Sequence, residues 1–188
     1  MVHLDEHGEP AVIETFDEVH LPGWAREIDL PAVQTGDQGP QLTLVSGGGK
    51  GGAAYVVVEV DGVVIANLYL PNGNPQPGPK FDYKLRWMAR LRERAKALLA
   101  AEIPVILAGD YNVIPRDVDT FSVKAMADDA LMQPESRAAY RRMLNDGWTD
   151  AILSRHPTGG VWTFWDYQAN SWPRDAGFRI DHLLLSPA

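Results

Sequence analysis

Cysteine is absent from all 188 residues. That single absence excludes disulfide scaffolds, thiol catalysis and zinc-thiolate sites together. No segment approaches the ~20 consecutive apolar residues of a membrane span, so no membrane contact is expected. The opening Met1-Val2-His3-Leu4-Asp5-Glu6 is polar and acidic and lacks the basic-then-apolar pattern of an export signal. A cytoplasmic monomer is the expectation. Basic residues are scarce in the first 79 positions, where only Arg26 and Lys50 stand against eleven acidic groups. The overall charge of −8 argues against nucleic-acid binding through bulk basicity, though not against a local basic face.

What is present points to one folded α/β domain. Apolar residues make up 45% of the chain, enough to bury a sizeable core. Residues 1–53 mix short apolar runs with turn residues and form a divergent N-terminal segment, while residues 54–188 read as the core of the same domain. The stretch Ser46-Gly47-Gly48-Gly49-Lys50-Gly51-Gly52 invites comparison with a phosphate-binding loop. That loop requires Gly-Lys followed by Ser or Thr and a helix; here glycines and a β-rich run follow, so a surface loop is the better reading. Tyr55–Val60 and Val63–Leu70 are β-branched runs joined by Asp61-Gly62, a strong hairpin signal.

After a Pro-rich loop, Phe81, Leu85, Met88, Leu91, Ala95, Leu98 and Leu99 recur at helical spacing from about Asp82. Lys84, Arg86, Arg90, Arg94 and Lys96 lie off that stripe and read mostly as a solvated face. Residues 80–96 nonetheless hold seven Lys and Arg against Asp82 and Glu93, so this helix is the place to look for a polyanion contact. Val105–Ala108 reads as a strand buried on both faces. A helix over Glu135–Asn145, stopped by Gly147, and strands over Trp162–Trp165 and Arg179–Leu185 complete the pattern.

The chemistry begins where the apolar strand ends. Gly109-Asp110-Tyr111-Asn112 sets a carboxylate and an amide two residues apart, able to point to one side of a sheet edge. A carboxylate there can hold a hard cation or act as a base, and an amide can anchor a phosphate oxygen or water. An ordinary Asx turn is the bland alternative. Tyr69-Leu70-Pro71-Asn72-Gly73 ends another strand with a phenol and an amide, and Arg179-Ile180-Asp181-His182 enters a third. Three strand ends bearing such groups suggest one shared cleft.

Together with Phe81-Asp82-Tyr83-Lys84-Leu85-Arg86-Trp87 and Thr163-Phe164-Trp165-Asp166-Tyr167, these blocks resemble the exonuclease III and abasic-site endonuclease branch of the endonuclease/exonuclease/phosphatase superfamily. The resemblance covers roughly residues 54–188, with five blocks in family order. It implies a two-sheet α/β sandwich, incomplete here at both ends, and hydrolysis of phosphodiesters in duplex DNA at abasic sites and 3′ ends with Mg2+ or Mn2+. It makes Asp110 the group that activates the attacking water and Asn112 the amide beside the scissile phosphate, both close to the metal. It places Tyr69 and Asn72 at the phosphate, gives Asp181 the orienting of a catalytic histidine, and puts Phe164, Phe178 and Ile180 in an apolar pocket for an extrahelical abasic sugar. Trp162, Trp165 and Tyr167 are open to a plain core reading, Trp162 most of all.

Complete members also carry an early asparagine strand, a Gln-Glu whose glutamate is the main metal ligand, and a closing Ser-Asp-His. No Ser-Asp-His occurs in this sequence, and Ile13-Glu14-Thr15 is only a faint counterpart of Gln-Glu. His182 is no substitute, because neighbours along a strand point to opposite faces. Three readings follow: a shortened DNA-repair nuclease, active weakly or only in its complete form; a non-catalytic remnant that binds DNA through the basic helix and the aromatic loop from Trp162 to Trp172; or a phosphatase-like relative acting on a small phosphoester.

Overall fold

A computed structural model describes residues 41–43, 54–60, 62–167 and 170–187. Glu14 and the glycine-rich stretch fall outside the described residues. The strands are β1 (Gln41–Thr43), β2 (Ala54–Val60), β3 (Val63–Tyr69), β4 (Val105–Asp110), β5 (Thr149–Asp150), β6 (Phe164–Trp165), β7 (Gly177–Phe178) and β8 (Asp181–Leu185). The helices are α1 (Pro79–Ala100), α2 (Val123–Met126), α3 (Pro134–Asn145) and α4 (Ala151–Arg155). Six strands form one mixed sheet in the order β1-β2-β3-β4-β8-β5, and β6 pairs with β7 in a separate ribbon.

The β2–β3 hairpin forms where the turn signal falls. Gly62 takes φ +79°, the sign that two-residue hairpin turns require, and Val60 pairs with Val63. From β3 the chain crosses through α1 and returns as β4, parallel to β3. A parallel neighbour needs such a crossover, and the long amphipathic helix supplies it. Trp87, Met88, Leu91, Ala95 and Leu98 of α1 pack on Val64, Ala66 and Leu68 of β3, Val105 and Leu107 of β4 and Leu184 of β8. From α3, Ala139, Tyr140 and Met143 complete that core.

Both helices thus cover one face of the sheet. Alternate residues Ile65, Ile106 and Ala108 point the other way and remain partly exposed, so β4 is fully buried on one face only, not on both as its apolar run suggested. The strands expected over Trp162–Trp165 and Arg179–Leu185 shrink to Phe164–Trp165 and Asp181–Leu185, and the Arg179 N–H donates outside the ladder, to the Asp119 carbonyl. No helix among the described residues is long and apolar enough to cross a membrane.

Candidate active site at the edge of the sheet

Because β3 and β4 run parallel, their C-terminal ends share one edge. β8 runs antiparallel to β4, so its first residue meets the same edge. Tyr69 pairs with Asp110, and Asp110 pairs with Asp181, which sets a phenol and two carboxylates in a row across three strands. Gly109 makes this closeness possible. Its φ is +128°, and a Cβ there would lie 2.0 Å from the Leu68 carbonyl oxygen.

Past Asp110 the chain turns sharply. Asn112 is buried, with φ +48°, and its backbone N–H donates to Asp110 Oδ1 at 2.7 Å. Its Nδ2 donates to the Leu70 carbonyl at 2.7 Å and to Asp110 Oδ2 at 3.2 Å. The carbonyl partner fixes the amide orientation, since only a donor can face it. Asn112 Oδ1 in turn accepts from Asn72 Nδ2 at 3.2 Å. Asn72, Asn112 and Asp110 therefore form one hydrogen-bonded chain, with Tyr69 and Asp181 on either side of the carboxylate. The Asx turn is thus present and serves the cluster, because its bonds aim the carboxylate.

Lys84 departs from the solvated-face reading. It is completely buried, and its Nζ donates to the carbonyls of Asn72 at 3.0 Å, Asn112, and Ala130 at 3.3 Å. All three ammonium protons are used to tie the two motif segments to the loop before α3. Helical periodicity classifies residues by face and could not anticipate a polar side chain that reaches beyond the end of the sheet. Elsewhere on α1, Arg92 pairs with Asp146 and Lys96 with Glu93, so part of the basic face is balanced locally.

The electrostatics follow from this crowding. Burial, with the Asp181 charge adding to it, pushes the Asp110 carboxyl up to about 6 against the Asn112 N–H bond and the Lys84 charge. Burial pushes the Lys84 ammonium down to about 7, opposed by the charges of Asp129 and Asp110. Lys84 is the one cation acting on Asp110, against the charges of Asp181 and Asp129 nearby. Hard oxygen donors in such a place suit a hard divalent cation. Among the described residues no three acidic, histidine or cysteine side chains gather into a ligand cluster, so the donor set is two carboxylates and an amide.

A small apolar cluster adjoins the carboxylates. The Phe164 and Phe178 rings stand 5.1 Å apart and pack with Ile180 against Ile114, Leu131 and Met132. Thr163 Oγ1 accepts the N–H groups of Ile180 and Asp181, both at 3.1 Å, which ties this cluster to the carboxylate. Beyond it the surface is aromatic. Tyr167 is 98% exposed and Trp172 69% exposed, the latter edge-on to Trp165 at 4.6 Å. The core reading thus fails for Tyr167, while Trp162 is half-buried beside Gly177.

A second polar cluster had no local signal in the sequence. Arg179, 1% exposed, donates to both buried carboxylates Asp119 and Asp150, and Arg116 also pairs with Asp119. Tyr140 donates to Asp150 at 2.9 Å. Burial would raise the Asp119 carboxyl, but the bonds and charges of Arg116 and Arg179 outweigh it and hold it below the usual carboxylate range. Asp150 is likewise held low, by the Leu153 N–H and by Arg179. His182 points into this cluster, away from Asp181, as strand alternation requires. Arg179 and His182 lie within a recognised motif, but the carboxylate partners of Arg179 are 60 and 29 residues away in the chain.

Comparison with known proteins agrees with this geometry. Residues 22–188 match the endonuclease/exonuclease/phosphatase family. The chain is 30% identical over 132 residues to an exodeoxyribonuclease of Bacillus subtilis, covering 70% of this chain and 52% of that protein. It is 28% identical over 134 residues to the DNA repair nuclease APEX1 of Danio rerio, covering 71% and 43%. Among solved structures, a 3′ phosphatase from Neisseria bound to a product DNA hairpin superposes with a TM-score of 0.68 at 32% identity, covering 71% of this chain and 52% of that one. An AP endonuclease from Archaeoglobus fulgidus superposes with a TM-score of 0.67 at 28% identity, with the same coverage of 71% and 52%. The chain spans about half the length of the curated relatives it matches. A family match over most of its residues, and a carboxylate-amide cluster at the strand ends where the family motifs fall, make the chain a member of the endonuclease/exonuclease/phosphatase family.

Proposed function

We propose that this protein hydrolyses phosphodiesters of duplex DNA at abasic sites and 3′ ends, as a divalent-metal-dependent exonuclease III-type nuclease. The observation that carries this reading is the joining of Asp110, Asp181, Asn72 and Asn112 to a partly exposed aromatic cluster through the two bonds of Thr163. A carboxylate cluster alone would serve any phosphoester. An apolar surface made by Phe164 and Phe178, with Ile180 one residue from Asp181, suits a substrate with an apolar element beside the phosphate, and an extrahelical abasic sugar is such an element. No base need be unstacked to flip it out.

In this reading Asp110 accepts the proton of the attacking water, a task suited to a carboxyl raised to about 6. Asn112 aims that carboxylate by its two bonds. Tyr69 and Asn72 contact the phosphoryl oxygens, and Phe164, Phe178 and Ile180 receive the sugar. Asp110 and the free lone pair of Asn112 Oδ1 would hold Mg2+ or Mn2+, with Asp181 facing them. The cation, when bound, neutralises the phosphoryl charge and stabilises the leaving 3′ oxygen. The resemblance gives Asp181 a histidine to orient; His182 turns away, so here Asp181 acts on the Asp110 side of the site.

The test is incubation of a duplex carrying one abasic site, with and without magnesium. A magnesium-dependent nick 5′ to the lesion is expected. Binding without a nick would replace this reading with that of a DNA-binding remnant. Hydrolysis of a small phosphoester without DNA affinity would replace it with a phosphatase.

A further inference from the structure

Arginine has donors only, so the 3.0 Å contact between Arg179 Nη1 and His182 Nδ1 requires Nδ1 to accept. The proton of the ring then sits on Nε2. That nitrogen lies 2.9 Å from the Val113 carbonyl, which can only accept. Both contacts agree on one tautomer, and both are satisfied only by a neutral ring. The charges around it close without a contribution from His182, since Asp119 and Asp150 are balanced by Arg179 and Arg116. Tyr111 and Tyr140 pack on the ring at centroid distances of 5.3 and 4.6 Å.

Val113 directly follows Asn112, the residue that holds Asp110 from a left-handed backbone conformation. Asparagine tolerates that conformation better than other non-glycine residues, and here several bonds around the turn fix it. On one side the turn is held by Tyr111 N–H to the Ile180 carbonyl and by Asn112 Nδ2 to the Leu70 carbonyl. On the other side Lys84 Nζ holds the Asn112 carbonyl, the Ile114 N–H donates to the Leu131 carbonyl, and between them the Val113 carbonyl is held by His182.

We propose that His182, fixed by Arg179 as the Nε2–H tautomer, is a positioning residue that pins the Val113 carbonyl and thereby keeps the Asp110–Asn112 turn set against Asp181. β8 then does two tasks with adjacent residues on opposite faces. Asp181 presents a carboxylate to the site, and His182 fastens from behind the segment that carries the facing one. Nothing in the five sequence blocks distinguishes His182 from an ordinary buried strand residue.

The test compares His182→Phe, which keeps the ring volume but removes both hydrogen bonds, with His182→Gln, whose amide can donate to Val113 and accept from Arg179. Amide hydrogen exchange of the full chain should accelerate about tenfold or more at Tyr111 and Asn112 in the Phe variant, with Leu107 in the middle of β4 unchanged. The Gln variant should restore most of that protection. Equal protection in the Phe variant and the native chain would overturn the proposal, as would a uniform loss at all three amides. Nitrogen-15 imidazole spectra of the native protein should show the proton on Nε2; a proton on Nδ1 would also overturn it. The catalytic arm rests on the nuclease reading. If the native chain nicks abasic duplex, kcat should fall about tenfold to a hundredfold in the Phe variant with KM little changed. If it does not, that reading fails, and the exchange data still decide the role of His182.

Discussion

Two clusters of charge lie a few residues apart along β8, and they are built on opposite principles. At the strand edge, Asp110 and Asp181 face each other, and burial with like charge pushes one carboxyl up to about 6. Behind the sheet, Asp119 and Asp150 are each matched by arginine, and their carboxyls are held below the usual range. The first cluster has only Lys84 against its carboxylates and is left with an excess of negative charge; the second is balanced. A domain of modest stability cannot leave buried charges uncompensated without a reason. The difference therefore separates the part of the molecule arranged for a ligand from the part arranged to hold it.

The sharpest way to break the comparison is to neutralise one member of each cluster. Asp110→Asn should reduce cleavage of abasic duplex by about a thousandfold or more, in the range of a lost general base combined with metal binding, while urea unfolding shows stability equal to or above that of the native protein. Retained activity would remove Asp110 from the chemistry. Arg179→Met should do the reverse in kind. It leaves two buried carboxylates with too few partners, and the expected cost is about 3–5 kcal/mol in the same unfolding measurement.

The pH dependence should carry opposite signs in the two regions. Asp110 binds its proton more tightly in the folded state than in the unfolded one, so its contribution is present at low pH and is lost as pH rises from about 4 to about 6. Two units correspond to roughly 3 kcal/mol. Asp119 and Asp150 contribute stability above the ordinary carboxylate range, and it is lost as pH falls through their lowered values. In metal-free protein, Asp110→Asn should abolish the loss between about pH 4 and 6 and leave the acid limb intact. Added magnesium should raise the native melting temperature more at pH 7 than at pH 5, and should not raise that of the variant. An equal shift in the variant would place the cation elsewhere.

The smallest effect concerns the aromatic cluster. Phe178→Ala should lower kcat/KM on abasic duplex about tenfold more than on a 3′-phosphate end, the scale of one lost aromatic contact. Equal losses on both substrates would mean that the aromatic cluster supports the loop and does not receive the sugar.

The two clusters also differ in how legible they were. Asp110, Asn112, Tyr69, Asn72 and Asp181 each stand beside an apolar strand, and a strand end is a local signal that periodicity and turn chemistry can read. The hairpin and α1 were legible for the same reason. The balanced cluster was not, because Asp119, Asp150 and Tyr140 meet Arg179 only through tertiary folding and carry no local pattern. Lys84 was misplaced through the opposite error. Its helical position is clear, but a four-carbon stem lets the ammonium serve a place its backbone does not reach. Lys84 and Arg179 fail the local reading alike, because each is buried by what it bonds and not by what it is.

The pairing of Tyr69 with Asp110 and of Asp110 with Asp181 makes the site a matter of counting along the ladder. Strand residues alternate faces, so one residue inserted or removed within β4 before Asp110 would turn its carboxylate to the helix-covered side, whatever the chemistry of the surrounding positions. Change of length is therefore open to this protein in the connections, such as the long path from β4 to β8, and closed within the strands that end at the edge. Across homologues, the lineage of the site should be readable in unbroken strand spacing even where residues elsewhere have drifted.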